Sequence, residues 1–428
     1  MRRIVSSIPR SADCKATLER ESRRLPVGKY PLERFRVIDF GTVIAGPLAA
    51  RIFADMGAEV IKVETSSRLD ALRMSADNFA KDPEKDPMYH TINRNKLCAT
   101  VDLTNPQGRD LLRHLATVSD VVIENFSPRV MSGLGLDYNT LRRYRPDLVM
   151  ISLSGAGQYG PLRDLPTYGP TVGALAGLDA LAGYPGERAL GTQGVYCDPS
   201  AAAHAAFAVL AALRHRNRTG RGQYIDLAQW ETAISVTGEA IMEYTMTGRS
   251  PTALGNTHPR MAPHNTYKCK GDDKWIAVVA GSDDEWRRLC EAIGQPGMAT
   301  DTRFADRFQR LHHQKELDAI IAAWTREREP YEAVEILQRA GVAASPVLDT
   351  GERFFDPQLQ ARGVHVEVEH PATGTDIIYG IPWKMSGTPT DIRTPAPLLG
   401  QHNGYVFGDV LGMGGDAVRQ LVEQKVLT

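Results

Sequence analysis

Arg36-Val-Ile-Asp-Phe-Gly-Thr-Val-Ile-Ala-Gly-Pro-Leu-Ala-Ala-Arg-Ile-Phe-Ala-Asp-Met-Gly-Ala-Glu-Val-Ile-Lys-Val-Glu64 is the stretch that decides the fold class. Residues 36–40 pair apolar side chains with a single acid and predict a buried strand. Pro47 stands where a helix would open, residues 48–56 carry a 3.6-residue apolar period, and Gly57 closes it. Residues 59–64 are again β-branched and predict the next strand. The unit recurs downstream, with a helix over 108–116 feeding a strand at 120–124. A third strand follows at 148–153 after a short polar helix. Strands separated by helices of this length predict a parallel sheet covered on both faces.

Further along, residues 198–216 predict a long Ala-rich helix, 225–227 a short strand, and 229–247 a second long helix. Residues 248–264, rich in Gly, Pro, Asn and Thr, read as a linker. A strand at 274–280 and helices at 283–293, 311–325 and 330–340 suggest a smaller α/β unit. Residues 365–370 and 375–379 flank Pro371-Ala-Thr-Gly374 as a hairpin.

Composition narrows the function. The 428 residues predict two or three domains at about 150 residues each. Apolar residues make up 42% and charged residues 24%, which is ordinary globular usage. A net charge of −1 gives no overall attraction for nucleic acid. Five scattered cysteines without a Cys-x-x-Cys pair argue against a disulfide framework or a cysteine zinc knuckle. The apolar run 201–213 is too short to span a bilayer, and residues 1–24 develop no apolar h-region. These features predict a cytoplasmic protein with a polar N-terminal arm, no membrane association and no nucleic-acid partner.

The motifs with chemical content are individually weak. Gly155-Ala-Gly-Gln-Tyr-Gly160 matches G-x-G-x-x-G, with Asp179 at the expected distance, but Pro161 to Pro166 carry no helical period. Without a helix N-terminus there the pyrophosphate loses its anion site, so an NAD-dependent oxidoreductase is disfavoured. H-E-x-x-H, Walker and G-x-S-x-G patterns are absent, and His258 and His264 lack a carboxylate at ligand spacing, so no metal is expected. Asp198-Pro199 opens the Ala-rich helix. By itself this is a good N-cap followed by proline at the first helical position. A carboxylate held in one orientation at a helix start also suits a nucleophile. On local physics alone the cap is the better account.

An ordered set of segments resembles family III CoA-transferases, the group of formyl-CoA:oxalate and carnitine CoA-transferases. It comprises residues 36–64, Asn93-Arg-Asn-Lys96, Asp120-Val-Val-Ile-Glu-Asn-Phe126, Ser154-Gly-Ala-Gly-Gln-Tyr-Gly-Pro161, Thr219-Gly-Arg-Gly-Gln-Tyr-Ile-Asp226 and Leu399-Gly-Gln-His402. Together they cover roughly residues 35 to 405.

The resemblance implies a large Rossmann-like, parallel-sheet domain built from both chain ends, a smaller α/β domain, and two interlocked subunits. On this chain the divisions are a polar arm over 1–34 and the first part of the CoA-binding domain over 35–228. Linker helices and the small domain then occupy 229–345, and 346–428 return to the large domain. The resemblance also implies that Asp198 is the nucleophile, forming a mixed anhydride and then an aspartyl-CoA thioester. CoA-binding positions carry over to Ile44, Ala45, Asn93, Arg94, Asn95, Lys96, Asn125, Phe126, Thr167, Tyr168 and Gly169, with Arg94 and Lys96 meeting CoA phosphates. Acyl-CoA and a carboxylic acid are the substrates, and neither a cofactor nor a metal is required.

Three departures from the family pattern stand out. Ile44 replaces the formyl enzyme's glutamine, Gly169 stands where the racemase branch has an acid/base aspartate, and Gly255 is the sole counterpart of a glycine-rich lid. Gly169 cannot move a proton, which disfavours racemisation and assigns it to giving room in the acyl pocket. Family usage makes succinyl-CoA the expected donor, with Arg163, Arg188 and Arg260 as candidates to hold a second carboxylate. The alternatives are a non-catalytic or CoA-binding partner subunit of a heteromeric transferase, which the presence of Asp198 opposes, and an intramolecular CoA-transferase. The assembly is expected to be a homodimer or a heteromer with a related family III subunit.

Overall fold

The computed structural model describes residues 29–74, 81–192 and 196–428. Residues 1–28 of the expected polar arm lie outside them.

Six strands form one parallel sheet in the order β3-β2-β1-β4-β5-β6. They are β1 (Arg36–Asp39), β2 (Glu59–Glu64), β3 (Leu97–Thr100), β4 (Val121–Glu124), β5 (Val149–Ser154) and β6 (Tyr224–Ala228). In register, Ile38 stands opposite Ile61 on one side and Val122 on the other. All three are fully buried, which is why these strands read as near-continuous apolar runs. The strand order reverses between β1 and β4, so the loops after these two strands border a crevice at the sheet's carboxyl edge.

Helices cover both faces. Between β1 and β6 run α1 (Ala45–Asp55), α2 (Pro87–Asn93), α3 (Pro106–Thr117), α4 (Val130–Leu134), α5 (Tyr138–Leu141), α6 (Gly169–Leu175), α7 (Leu178–Leu181) and α8 (Cys197–Thr219). One face packs Val37, Val60, Ile123, Ile151 and Leu153 against α1 and α8. Small residues make that approach close: Ala49, Ala50 and Ala54 of α1 meet Ala201, Ala202, Ala205 and Ala212 of α8. The other face packs Ile38, Ile61, Val122 and Met150 against α3, α4 and α5. There the chain end joins in: Val406, Phe407, Leu421, Val426 and Leu427 enter the same core.

After β6 come α9 (Gln229–Ile234) and α10 (Gly238–Thr247), separated by a 3₁₀ turn at Ser235–Thr237. The single helix expected over 229–247 is therefore broken. Ser235 and Thr237 return their hydroxyls to the carbonyls three residues back, competing with the helical ladder.

A second, antiparallel sheet joins β7 (His264–Lys268), β8 (Trp275–Val279) and β9 (Ala343–Pro346) in the order β7-β8-β9. It packs with α11 (Asp283–Ala292), α12 (Arg307–His312), α13 (Gln314–Thr325) and α14 (Pro330–Arg339) around Ile276, Trp286, Leu289, Phe304 and Leu317. The short helices α15 (Thr350–Phe355) and α16 (Pro357–Ala361) lead into the hairpin of β10 (His365–His370) and β11 (Gly374–Tyr379). A last helix, α17, spans Gly415–Glu423. Among the described residues, no helix is long and apolar enough to cross a membrane.

Candidate functional site

Asp198 lies in the first turn of α8, after Cys197. The residue at the cap position is Tyr196, whose backbone is already helical (φ −65°, ψ −41°) and whose side chain makes no capping bond. Asp198 is thus one step inside the helix, and the N-cap expected of it is not made. Its carboxylate has no ion-pair partner among the described residues. Burial, only partly opposed by the residue's own backbone N–H, pushes its pKa up to about 6. A helix N-terminus favours the anion, so the net rise means that desolvation outweighs it.

What desolvates it is the start of α6. A methyl group placed on Gly169 would stand 2.8 Å from Asp198 Oδ2. The room that Gly169 leaves is therefore taken by the carboxylate itself. Gly169 is buried and opens α6, while Tyr168 before it is 73% exposed. Tyr168 N–H is held by Thr171 Oγ1 at 2.9 Å, which fixes this helix start. Beneath it, Gly155 packs directly on the Thr167 side chain: a Cβ there would lie 1.9 Å from Thr167 Oγ1. The glycine loop is pinned from β6 and α9, since Trp230 N–H donates to Gly155 O at 2.9 Å and Gln158 N–H to Asp226 Oδ1 at 3.1 Å. The Gly155–Gly160 loop thus supports the Thr167–Gly169 turn against Asp198. Val172, Cys197 and Ala233, with Trp230, form the apolar floor.

The second group of expected residues borders the crevice between β1 and β4. Ile44 and Ala45 are buried at the start of α1. Asn125 clamps the facing loop from both sides: Thr42 N–H donates to its Oδ1 at 2.8 Å, and its Nδ2 donates to Thr42 O at 2.9 Å. Phe126 follows in the same turn, and its N–H donates to Glu124 Oε2 at 2.7 Å.

Asn93, Arg94, Asn95 and Lys96, of which Arg94 and Lys96 were expected to meet CoA phosphates, are bonded within the chain. Arg94 is fully buried and holds both oxygens of Asp55, at 3.1 and 2.8 Å. It also donates to Tyr379 O of β11. Lys96 is 1% exposed and has all three donors used, on Asp39 Oδ2 (2.8 Å), Pro47 O (2.7 Å) and Asn93 Oδ1 (2.9 Å). Burial lowers its pKa to about 8, with Asp39 opposing that fall. Asn95 takes Arg393 N–H at 2.6 Å and Thr394 N–H at 3.1 Å. The four residues tie the returning chain to α1, and neither cation is presented to a phosphate. The partners Asp55 and Asp39 are remote in sequence, which is why the pattern alone suggested free charges. Arg163, Arg188 and Arg260 are exposed on loops, and Arg163 stands 3.5 Å from Asp164.

His90, His370 and Asp376 bring ligand-type atoms within 4.8 Å of one another. Their geometry is that of a clamp. His90 Nδ1 faces Asp376 Oδ2 at 2.7 Å, His90 Nε2 faces Glu84 O at 2.9 Å, and His370 Nδ1 accepts Ala372 N–H at 3.1 Å. The rings stack at 3.8 Å, which does not aim two lone pairs at one ion.

Two surface cavities, about 250 Å³ beside Phe354 and His365 and about 470 Å³ beside Arg214 and Arg218, do not touch Asp198. Large apolar side chains are exposed elsewhere, including Phe207 of α8 (77%) and Met246 of α10 (76%).

Residues 32–403 match the sequence profile of CoA-transferase family III. The chain is 35% identical over 398 residues to the succinyl-CoA–D-citramalate CoA-transferase of Chloroflexus aurantiacus, covering 93% of this chain and 98% of that one. It is 34% identical over 392 residues to the succinate–glutarate CoA-transferase of Agrobacterium fabrum, covering 90% and 97%. Among solved structures it superposes on a CAIB/BAIF family protein from Brucella suis with a TM-score of 0.82 at 28% identity, covering 90% of this chain and 100% of that one.

Proposed function

Because the chain belongs to CoA-transferase family III and is a CoA-transferase, we propose that it moves CoA from succinyl-CoA to a free carboxylic acid with Asp198 as covalent carrier. The observation that carries this reading is a carboxylate with no ion-pair partner among the described residues, desolvated against Gly169, with its pKa pushed up to about 6. Such a group is ionised at neutral pH yet poorly solvated, which is what a carboxylate nucleophile requires. The donor follows from the names of two relatives, one a succinyl-CoA and one a succinate transferase.

The chemistry runs in four balanced steps. Asp198 attacks the thioester carbonyl and expels CoA thiolate, leaving a mixed acyl–aspartyl anhydride. The thiolate attacks the aspartyl carbonyl, freeing the donor acid and leaving an aspartyl-CoA thioester. The acceptor carboxylate then displaces the thiolate to form a second anhydride. Finally the thiolate attacks the new acyl group, releasing acyl-CoA and the Asp198 carboxylate. No metal or prosthetic group enters these steps. Gly169 makes no proton transfer available beside Asp198, which supports transfer over racemisation.

The crevice at the β1/β4 reversal is the proposed seat of CoA, between Ile44–Ala45 and Asn125–Phe126. Open parallel sheets bind ligands where their strand order reverses, and Asn125 sets both walls there. A second copy of the chain, or a related subunit, is proposed to cover exposed apolar side chains such as Phe207, Met246 and Tyr168. The division into a large domain from both chain ends and a small one over 229–345 belongs to the same proposal.

Mass spectrometry of CoA exchange between succinyl-CoA and a panel of carboxylic acids tests the function. New acyl-CoA products with equal succinate release are expected, and hydrolysis or racemisation without exchange would overturn the reading. Light scattering tests the assembly: a dimer is expected, and a stable folded monomer at micromolar concentration would contradict it.

A further inference from the structure

Glu124, at the carboxyl end of β4, is a buried acid that the four steps above do not use. It is 3% exposed and has no ion-pair partner among the described residues. Side chains alternate along strands, so Glu124, Ser152 and Ser154 of β5, and Tyr224 and Asp226 of β6 share the face that carries Val122 and Met150. Glu124 Oε2 accepts Phe126 N–H at 2.7 Å, and Ser152 stands directly opposite it in the register of β5. Ser152 Oγ accepts the Tyr224 hydroxyl at 2.9 Å. Tyr224, Ser152 and Glu124 therefore lie together on one face of the sheet, and the Phe126 amide is bonded to the carboxylate.

We propose that Glu124 is a positioning residue for CoA binding, setting the Asn125–Phe126 turn in a protonation-dependent way. This rests on the reading of the β1/β4 crevice as the CoA seat. As the carboxylate, Glu124 accepts the Phe126 amide in a bond strengthened by its charge. As the acid it keeps an accepting oxygen but loses that charge, and it brings a proton that needs an acceptor of its own in a buried site. The Phe126 amide then loses its charged acceptor. Asn125, one residue away, holds the opposite wall of the crevice through Thr42, so the loosening reaches both sides.

The titratable groups facing Glu124 fix the direction. Asp226 of β6 adds a like charge, and Tyr224 has its phenol pushed up by burial first and then by both carboxylates. From the covering layer, Tyr138 of α5 stacks on Tyr224 with ring centroids 5.6 Å apart, and Arg142 lies outside the Tyr138 ring. Arg129, before α4, is paired with Asp164 at 2.7 Å. Asp39 of β1 faces the other side of the sheet, engaged by Lys96. Burial, then Asp226, pushes the Glu124 carboxyl up to about 7, against neighbouring Ser152 and the Phe126 bond, which lower it. The group therefore changes charge within the physiological range.

The test is calorimetric binding of desulfo-CoA, which cannot react, by parent and Glu124→Gln between about pH 5.5 and 8.5. The probe's own phosphate titrates near pH 6, so the comparison between proteins carries the result. The parent is expected to lose about three- to tenfold more affinity than the variant as pH falls through 7, because the charge-assisted bond goes with the charge. Parallel profiles would overturn the proposal while leaving the CoA-transferase reading intact. Absence of binding by the parent at every pH would overturn the crevice assignment and this inference with it. Asp226→Asn, which keeps an oxygen for Gln158 N–H, provides a second arm if Glu124→Gln fails to fold. It is expected to move the parent's inflection to lower pH, and an unmoved inflection would overturn the proposal.

Discussion

Asp198 and the Asn93–Lys96 corner hold charge in opposite ways. At the corner, Arg94 and Lys96 are buried with every side-chain nitrogen hydrogen-bonded, to Asp55, Tyr379 O, Asp39, Pro47 O and Asn93. At the start of α8, a half-buried carboxylate has no cation beside it among the described residues, and desolvation raises its pKa to about 6. Compensated charge builds architecture, because the partners repay the desolvation. Uncompensated charge is held at a cost that the surrounding fold offsets, which makes Asp198 the candidate for chemistry. The contrast teaches that a basic motif in sequence predicts little until its acidic partners are placed.

The largest effect expected at Asp198 is on rate. Asp198→Asn should reduce CoA transfer to background, on the order of a thousandfold or more, since an amide is a poor nucleophile towards a thioester. Its stability should not fall. Asp198 titrates higher in the folded chain than in the unfolded one, so above about pH 6 the charged form costs folding free energy. Thermal unfolding should show the variant more stable by about 1 kcal/mol near pH 8. The gap should close as pH falls through 6 towards the ordinary carboxylate range. Transfer at a parent-like rate would return Asp198 to a structural role.

The corner should break in the opposite sense. Lys96→Ala removes the cation bonded to Asp39 and should cost about 3–5 kcal/mol by denaturant unfolding, and Arg94→Ala should cost less, because Asp55 keeps Arg51 and Asn95. Loss of activity should track the fraction unfolded. Full stability combined with a salt-sensitive loss of CoA affinity would make the corner a phosphate site after all.

Gly169→Ala probes the contact itself. Its backbone is not in the left-handed region, so alanine adds only a methyl, 2.8 Å from Asp198 Oδ2. Turnover should drop about ten- to a hundredfold as the carboxylate is displaced. The loss should be similar for small and bulky acids, with little change in Tm. A loss confined to bulky acids would instead place Gly169 in the acyl pocket wall, as sequence alone suggested.

The mildest expected effect is the pH dependence of the parent. Its kcat should fall as pH drops through about 6, where Asp198 takes up a proton. A kcat unchanged down to about pH 4 would mean that no desolvated carboxylate limits turnover.

Much of the fold was legible because parallel strands bury both faces. Val37, Ile38, Val60 and Ile61 left no polar alternation, and Gly57 marked the turn between them. Leu97–Thr100 was missed, since Cys98, Ala99 and Thr100 make a short, small-residue strand with no β-branched run. The break at Ser235–Thr237 depends on hydroxyls bonding back to the helix, which periodicity does not register. At the candidate site, ordered family segments singled out Asp198 as the proposed carrier. Its contact with Gly169, and the acids that neutralise Arg94 and Lys96, are non-local and needed the fold.

Trapping the carrier tests the central claim most directly. The enzyme is incubated with succinyl-CoA, quenched with hydroxylamine and digested, and the peptide containing Asp198 is sequenced by mass spectrometry. Hydroxylamine displaces CoA or succinate from an activated aspartyl carbonyl and leaves a hydroxamate. A donor-dependent hydroxamate on Asp198, absent from Asp198→Asn, is the predicted result. Robust CoA exchange with no hydroxamate at Asp198, or with the label on another carboxylate, would contradict the account.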